Sequence, residues 1–240
     1  MSSSSKPRRR SSRRVLVAAS AATVLLSGCS SVDLNPGQAA IINDDVKISQ
    51  NEVDDTVMAA CDYIEISAED NPDAQALAIS DLRSNLTTSK ILTPLYADLL
   101  DELDLTIRPA DVDKLTGQNP LPDGLSDEDE EILTDYFEEL AVLQLSQALI
   151  GSHAVDPTVT NSSQLTTDES ASGADTVSAF LDEQDVDVNP QYGTWNGANV
   201  VFESGSLSTP VSERAQPLEA DPETGVTDVS DLPPSQVCGG

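Results

Sequence analysis

Two short apolar runs, Ala39-Ala40-Ile41-Ile42 and Val46-Lys47-Ile48, are parted by Asn43-Asp44-Asp45, which predicts a strand, a turn and a second extended piece. Ser49-Gln50-Asn51-Glu52 then has the form of a capping box, in which serine oxygen and glutamate carboxylate satisfy the free N–H groups of a helix start. Val53, Val57, Cys61 and Ile64 follow at three- and four-residue spacing and place Cys61 on the buried stripe of that helix. Asn71-Pro72 predicts the start of a second helix, with Leu77, Leu82, Leu86 and Ile91 on its apolar face. Pro94 interrupts this pattern, so the helix either kinks or yields to a new one after Leu92, and the face continues through Tyr96, Leu99, Leu100 and Leu103. Thr106 to Val112 forms a brief extended piece entering a short helix, and Pro120, Pro122 and Gly124 mark a break.

Ser126 opens the clearest helix, whose stripe is Ile132, Leu133, Tyr136, Phe137, Leu140, Leu143 and either Ala148 or Leu149. The acidic run from Asp127 to Glu131 suits the positive end of the helix dipole. It is no metal site, because carboxylates at successive positions point all around a helix. Residues 151–173 are rich in Ser, Thr and Asp and predict a linker, with His153 solvated at its edge. Val177, Phe180 and Leu181 then give a short helix. Asp185-Val186-Asp187-Val188-Asn189 has the alternation of a half-buried strand, and Pro190 stands where a calcium loop needs glycine, so calcium is rejected. Asn189-Pro190 and Gly193 form a turn carrying Tyr192 and Trp195, Val200-Val201-Phe202 is a last strand, and the chain from Ser204 onward is polar and proline-containing.

Charge changes this picture most. The chain holds 12 Lys+Arg against 42 Asp+Glu, a formal −30, which excludes nucleic acid as a partner because phosphate recognition needs clustered cations. Six of the twelve basic residues lie between Lys6 and Arg14, ahead of an apolar run from Val15 to Leu26, the order of a signal peptide. That run is 12 residues long, against about 20 for a bilayer-spanning helix. Leu26-Ser27-Gly28-Cys29 resembles the lipobox of bacterial lipoproteins, in which the cysteine thiolate takes up diacylglycerol, so Cys29 is the expected site of a palmitate-type anchor; an ordinary secretory signal is the alternative. Ser12-Arg13-Arg14-Val15-Leu16 also resembles a twin-arginine signal, which leaves the export route open. Cleavage before Cys29 would leave 6 Lys+Arg against 42 Asp+Glu, a formal −36, so membrane association would rest on the lipid rather than on headgroup attraction. Cys61 and Cys238 are then the remaining cysteines, and an even pair outside the cytoplasm predicts a disulfide; the alternative is a buried thiol at Cys61 and an exposed one at Cys238.

The order of elements resembles the N-terminal domain of the SurA and PrsA type of extracytoplasmic foldase. Ala40-Ile41-Ile42-Asn43-Asp44-Asp45-Val46-Lys47-Ile48 with Glu52-Val53 is similar to that family's opening strand and first helix. Ile91 to Leu99 with Leu105-Thr106-Ile107 and Val112 is similar to its long helix and the next short one, and Asn189-Pro190-Gln191-Tyr192-Gly193-Thr194-Trp195 to the strand after its isomerase module. The resemblance implies a chaperone-related domain. The parvulin isomerase module expected between these parts needs about 100 residues, and residues 151–173 cannot hold one. His153 is the single histidine where parvulin sites of this kind have a pair, so no prolyl isomerase activity is expected.

The predicted organisation is a signal peptide over 1–28, a tether over 29–38, a mainly α domain with a few short strands over 39–203 that includes the acidic linker at 151–173, and an extended acidic tail over 204–240. No nucleophile adjoins a base and no phosphate loop or metal spacing occurs, so neither catalysis nor a cofactor is expected. The expected function is a lipoprotein on the outer face of the cell membrane that binds unfolded or exported polypeptides. Met58, Tyr96, Tyr136 and Phe137 are candidate contacts, although each also suits a core position. An accessory lipoprotein binding one folded envelope partner is the alternative.

Overall fold

A computed structural model of the chain describes residues 36–70, 76–118, 120–165, 174–201, 229 and 232–239. Among the described residues the fold is mainly α, with five helices and a few short strands. Strand β1 (Gln38–Ile42) turns into β2 (Val46–Ser49) through Asn43 and Asp44, both in the left-handed region at φ 51° and 60°. Asn and Asp tolerate that region better than other side-chain-bearing residues, and the Asp45 N–H donates to Ile42 O at 3.0 Å to close the turn. β1 is the middle strand of a sheet ordered β2-β1-β4, where β4 (Val186–Val188) pairs antiparallel with Ala40 opposite Val188 and Ile42 opposite Val186. Asn43 seals the corner: its N–H donates to Asp185 O at 2.7 Å and its Oδ1 accepts from the Asp185 N–H at 2.9 Å.

Helix α1 (Gln50–Asp70) follows β2 directly and buries Val53, Val57 and Cys61, the stripe expected from its spacing. Helix α2 (Ile79–Glu102) runs unbroken through Pro94. It begins later than Asn71-Pro72 suggests: Leu77 and Ala78 form β3, not the first turns of a helix. β3 pairs antiparallel with β7 (Val237–Cys238) at the far end of the chain. Helix α3 (Pro109–Thr116) has proline at its first position, where a missing N–H costs no intrahelical bond.

Helix α4 (Asp127–Val155) is capped as its sequence predicts, with Ser126 Oγ accepting from the Asp129 N–H at 3.1 Å. It runs five residues into the stretch expected to be a linker, and Gly151 and Ser152 are buried. His153 is therefore helical and half-buried, its Nδ1 2.9 Å from Val159 O, rather than solvated at a linker edge. Residues 156–165 of that stretch are ordered as well, with a 3-10 turn at Ser162–Gln164, and residues 166–173 lie outside the described residues. Helix α5 (Ala174–Leu181) leads into β4, and β5 (Thr194–Trp195) pairs with β6 (Val200–Val201).

The core has three parts. The largest joins the sheet, the α1 stripe and Leu86, Ile91 and Leu95 of α2 to Leu181, Val188, Tyr192, Val200 and Cys238. A second packs Tyr96, Leu99 and Leu100 of α2 against Leu143, Leu149 and Ile150 of α4, and a third sets Leu133 against Ala59 and Ala60. Thr88 carries a buried polar link between layers: its hydroxyl donates to Ser84 O and accepts from the Val200 N–H, both at 2.8 Å.

Candidate functional site

Met58 sits one position past the buried Val57, so the helical turn aims it away from the core, and the residue is 62% exposed. It borders a groove of ≈ 690 Å³ built by four separate stretches of chain. Asp54, Val57 and Met58 come from α1, Ile79, Ser80 and Arg83 from the first turns of α2, Gln191 from the turn between β4 and β5, and Leu232, Ser235 and Gln236 from the C-terminal segment. The lining is mixed: apolar side chains stand beside groups able to bond a peptide backbone.

A polar cluster joins two of these lining residues, Asp54 and Arg83, to Tyr192. The Tyr192 hydroxyl donates to Asp54 Oδ2 at 3.0 Å, Arg83 Nε lies 3.3 Å from Asp54 Oδ1, and the Arg83 guanidinium lies 5.8 Å from the centre of the Tyr192 ring. Tyr192 is fully buried. Burial first, together with the hydrogen bond to Asp54 and its charge, raises its pKa above the ordinary tyrosine value, so it stays a neutral donor. Both ion-pair partners keep substantial solvent contact, which limits the pair to a positioning role.

The other candidate contacts lie elsewhere. Tyr96 is 5% exposed within the second core cluster. Tyr136 is half-buried against the main core. Phe137 meets Tyr63 edge to face, 5.6 Å between ring centres, and lines a separate cavity of ≈ 270 Å³ with Leu115 and Leu140. These three aromatics are not brought together with Met58. Arg83, Asp54 and Gln191 were not singled out from sequence, because an isolated Arg or Asp on a helix normally marks a solvated face.

Cys61 and Cys238 are joined as a disulfide, with their Cα atoms 5.0 Å apart across 177 positions of sequence. This corrects the expectation of an extended tail over its whole length: a 3-10 turn at Pro234–Gln236 and strand β7 bring residues 232–239 back to α1 and β3. Gly239, at φ +73°, passes so close to α1 that an added Cβ would lie 2.7 Å from Ile64 Cγ2. Cys29, the signal peptide and most of the tether lie outside the described residues. Among the described residues no group of three His, Cys, Asp or Glu could hold a metal ion, and no helix is long and apolar enough to cross a membrane. No known protein family, curated protein or solved structure matches the chain.

Proposed function

We propose that this chain is a lipid-anchored extracytoplasmic protein that binds unfolded or exported polypeptides in the groove beside Met58, acting by binding rather than by catalysis. The observation that carries the reading is Met58 itself. It is the most exposed of the three large apolar side chains that face solvent among the described residues, and the one that borders the groove. An unbranched thioether adapts to many side chains, which suits a site that must accept varied sequences. The disulfide supports an oxidising compartment, and the lipobox-like Leu26-Ser27-Gly28-Cys29 supports anchoring. The test is suppression of aggregation of a denatured exported protein by the soluble chain from residue 30 onward at equal molar amounts. No suppression even in large excess sinks this reading.

One observation favours the second reading, an accessory lipoprotein with a single folded envelope partner. Val46, Met58 and Val155 lie on three different elements and form no broad apolar surface. A pull-down through the folded domain separates the two: many unfolded chains support the first, one stoichiometric protein the second.

A further inference from the structure

We infer that the groove beside Met58 is gated by oxidation: the Cys61–Cys238 disulfide holds one of its walls in place, and the reduced chain keeps its helical frame but lacks that wall. The inference rests on the polypeptide-binding reading for its purpose, not for its structural content.

The wall is the C-terminal segment, which contributes Leu232, Ser235 and Gln236 to the lining. Its non-covalent hold is slight. Two residue pairs, Leu77 with Cys238 and Ala78 with Val237, make up its strand pairing. Pro233, Pro234, Ser235 and Gln236 are exposed, and Cys238 is the one buried residue between 232 and 239. A two-residue ladder does not offset the conformational freedom lost in ordering eight residues. The opposite wall is different in kind: Val57 is buried in the main core and Arg83 lies within a 24-residue helix. Loss of the bridge therefore acts on one side of the groove.

In forming the bridge, the thiols of Cys61 and Cys238 together give up two electrons and two protons as the Sγ–Sγ bond forms. A disulfide of a thiol–disulfide oxidoreductase accepts both through a mixed disulfide and leaves as a dithiol. Before export, in a reducing compartment, the site would be unbuilt, and it would assemble only where that oxidant is present. Premature capture of polypeptides inside the cell is thereby avoided.

Hydrogen exchange of the full chain tests this without any client. Three samples are compared: oxidised, reduced with dithiothreitol, and the Cys61→Ser/Cys238→Ser double variant. In the reduced and double-variant chains, amides of 77–78 and 236–239 should exchange about tenfold faster or more, while Leu86–Leu100 of α2 and Leu143–Ile150 of α4 keep their protection. Unchanged protection of 236–239 after reduction overturns the inference, because packing then suffices to hold the wall. Collapse of protection across α2 and α4 also overturns it, because the bridge then holds the whole fold. A chain that gates as stated but suppresses no aggregation overturns only the polypeptide-binding reading.

Discussion

Lys90 Nζ lies 2.8 Å from Glu139 Oε1, so a residue of α2 and one of α4, 49 positions apart, share a charge-assisted hydrogen bond with the lysine side chain only 10% exposed. The same ammonium reaches Glu52 of α1 at 2.9 Å, which ties three helices to one cation. Glu139 Oε2 is buried without a hydrogen-bond partner, so the carboxylate depends on Lys90 for compensation. Lys90→Met keeps most of the stem packing and removes the charge. It should destabilise the fold by about 2–3 kcal/mol, less than a fully buried pair because Glu52 is half-exposed. Urea unfolding measures the loss, and adding Glu139→Gln should restore part of it.

Alkaline pH should act through the same group. Burial by itself would lower the Lys90 pKa, but the hydrogen bonds to Glu139 and Glu52 and their charges outweigh it and raise the value above the ordinary one. Burial chiefly raises Tyr96, Tyr136 and Tyr192 as well. Each of these groups holds its proton more tightly in the folded chain, so its contribution is complete below the unfolded pKa, about 10 for both residue types, and is lost as pH climbs through the folded value. The urea midpoint should fall above about pH 10, and Lys90→Met should make that fall shallower.

Gly193 is fixed by geometry on two counts. Its φ is +123°, and an added Cβ would lie 2.7 Å from Val201 O and 2.8 Å from Val200 Cγ1. Gly193→Ala should therefore cost about 3 kcal/mol or more, since strain and overlap with backbone add. Thermal unfolding should show the drop, whereas Gly37→Ala, with a φ of +90° but open space around it, should cost less.

Met58→Glu separates binding from stability. The side chain is mostly exposed, so its replacement should shift stability by less than about 0.5 kcal/mol. Suppression of aggregation should be lost, because a carboxylate would stand at the groove's apolar rim. Phe137→Ala should do the reverse: its contact with Tyr63 is structural, so unfolding occurs earlier while binding persists.

Local periodicity made the helical frame legible. Val53, Val57 and Cys61 recur at helical spacing and are buried, and Ser126 caps the helix it was expected to cap. Non-local pairing was not legible. Leu77 follows the helix-start signal Asn71-Pro72, yet its partner is Cys238, which no local pattern could supply. Gly151 and Ser152 have poor helix propensity, and their burial against the rest of the fold carries α4 past them. For the groove, the sequence could name Met58 but not the Arg83, Gln191 and Leu232 that fold beside it. For Tyr96 the difficulty is the opposite one: a core tyrosine and a binding tyrosine occupy the same helical stripe, and only packing, which buries Tyr96 in the second core cluster, distinguishes them.

The central position of β1 sets the order in which the protein can mature. A chain made N-terminus first completes β1 and β2 early, but the second neighbour of β1 is β4, and Asn43 meets Asp185 only across 142 positions. Until those residues emerge, one edge of β1 has open N–H and C=O groups, available to any other strand. A chain cut short after α4 would thus have helices and an open-edged ribbon, and the span between β2 and β4 is the window in which it needs protection from its own kind.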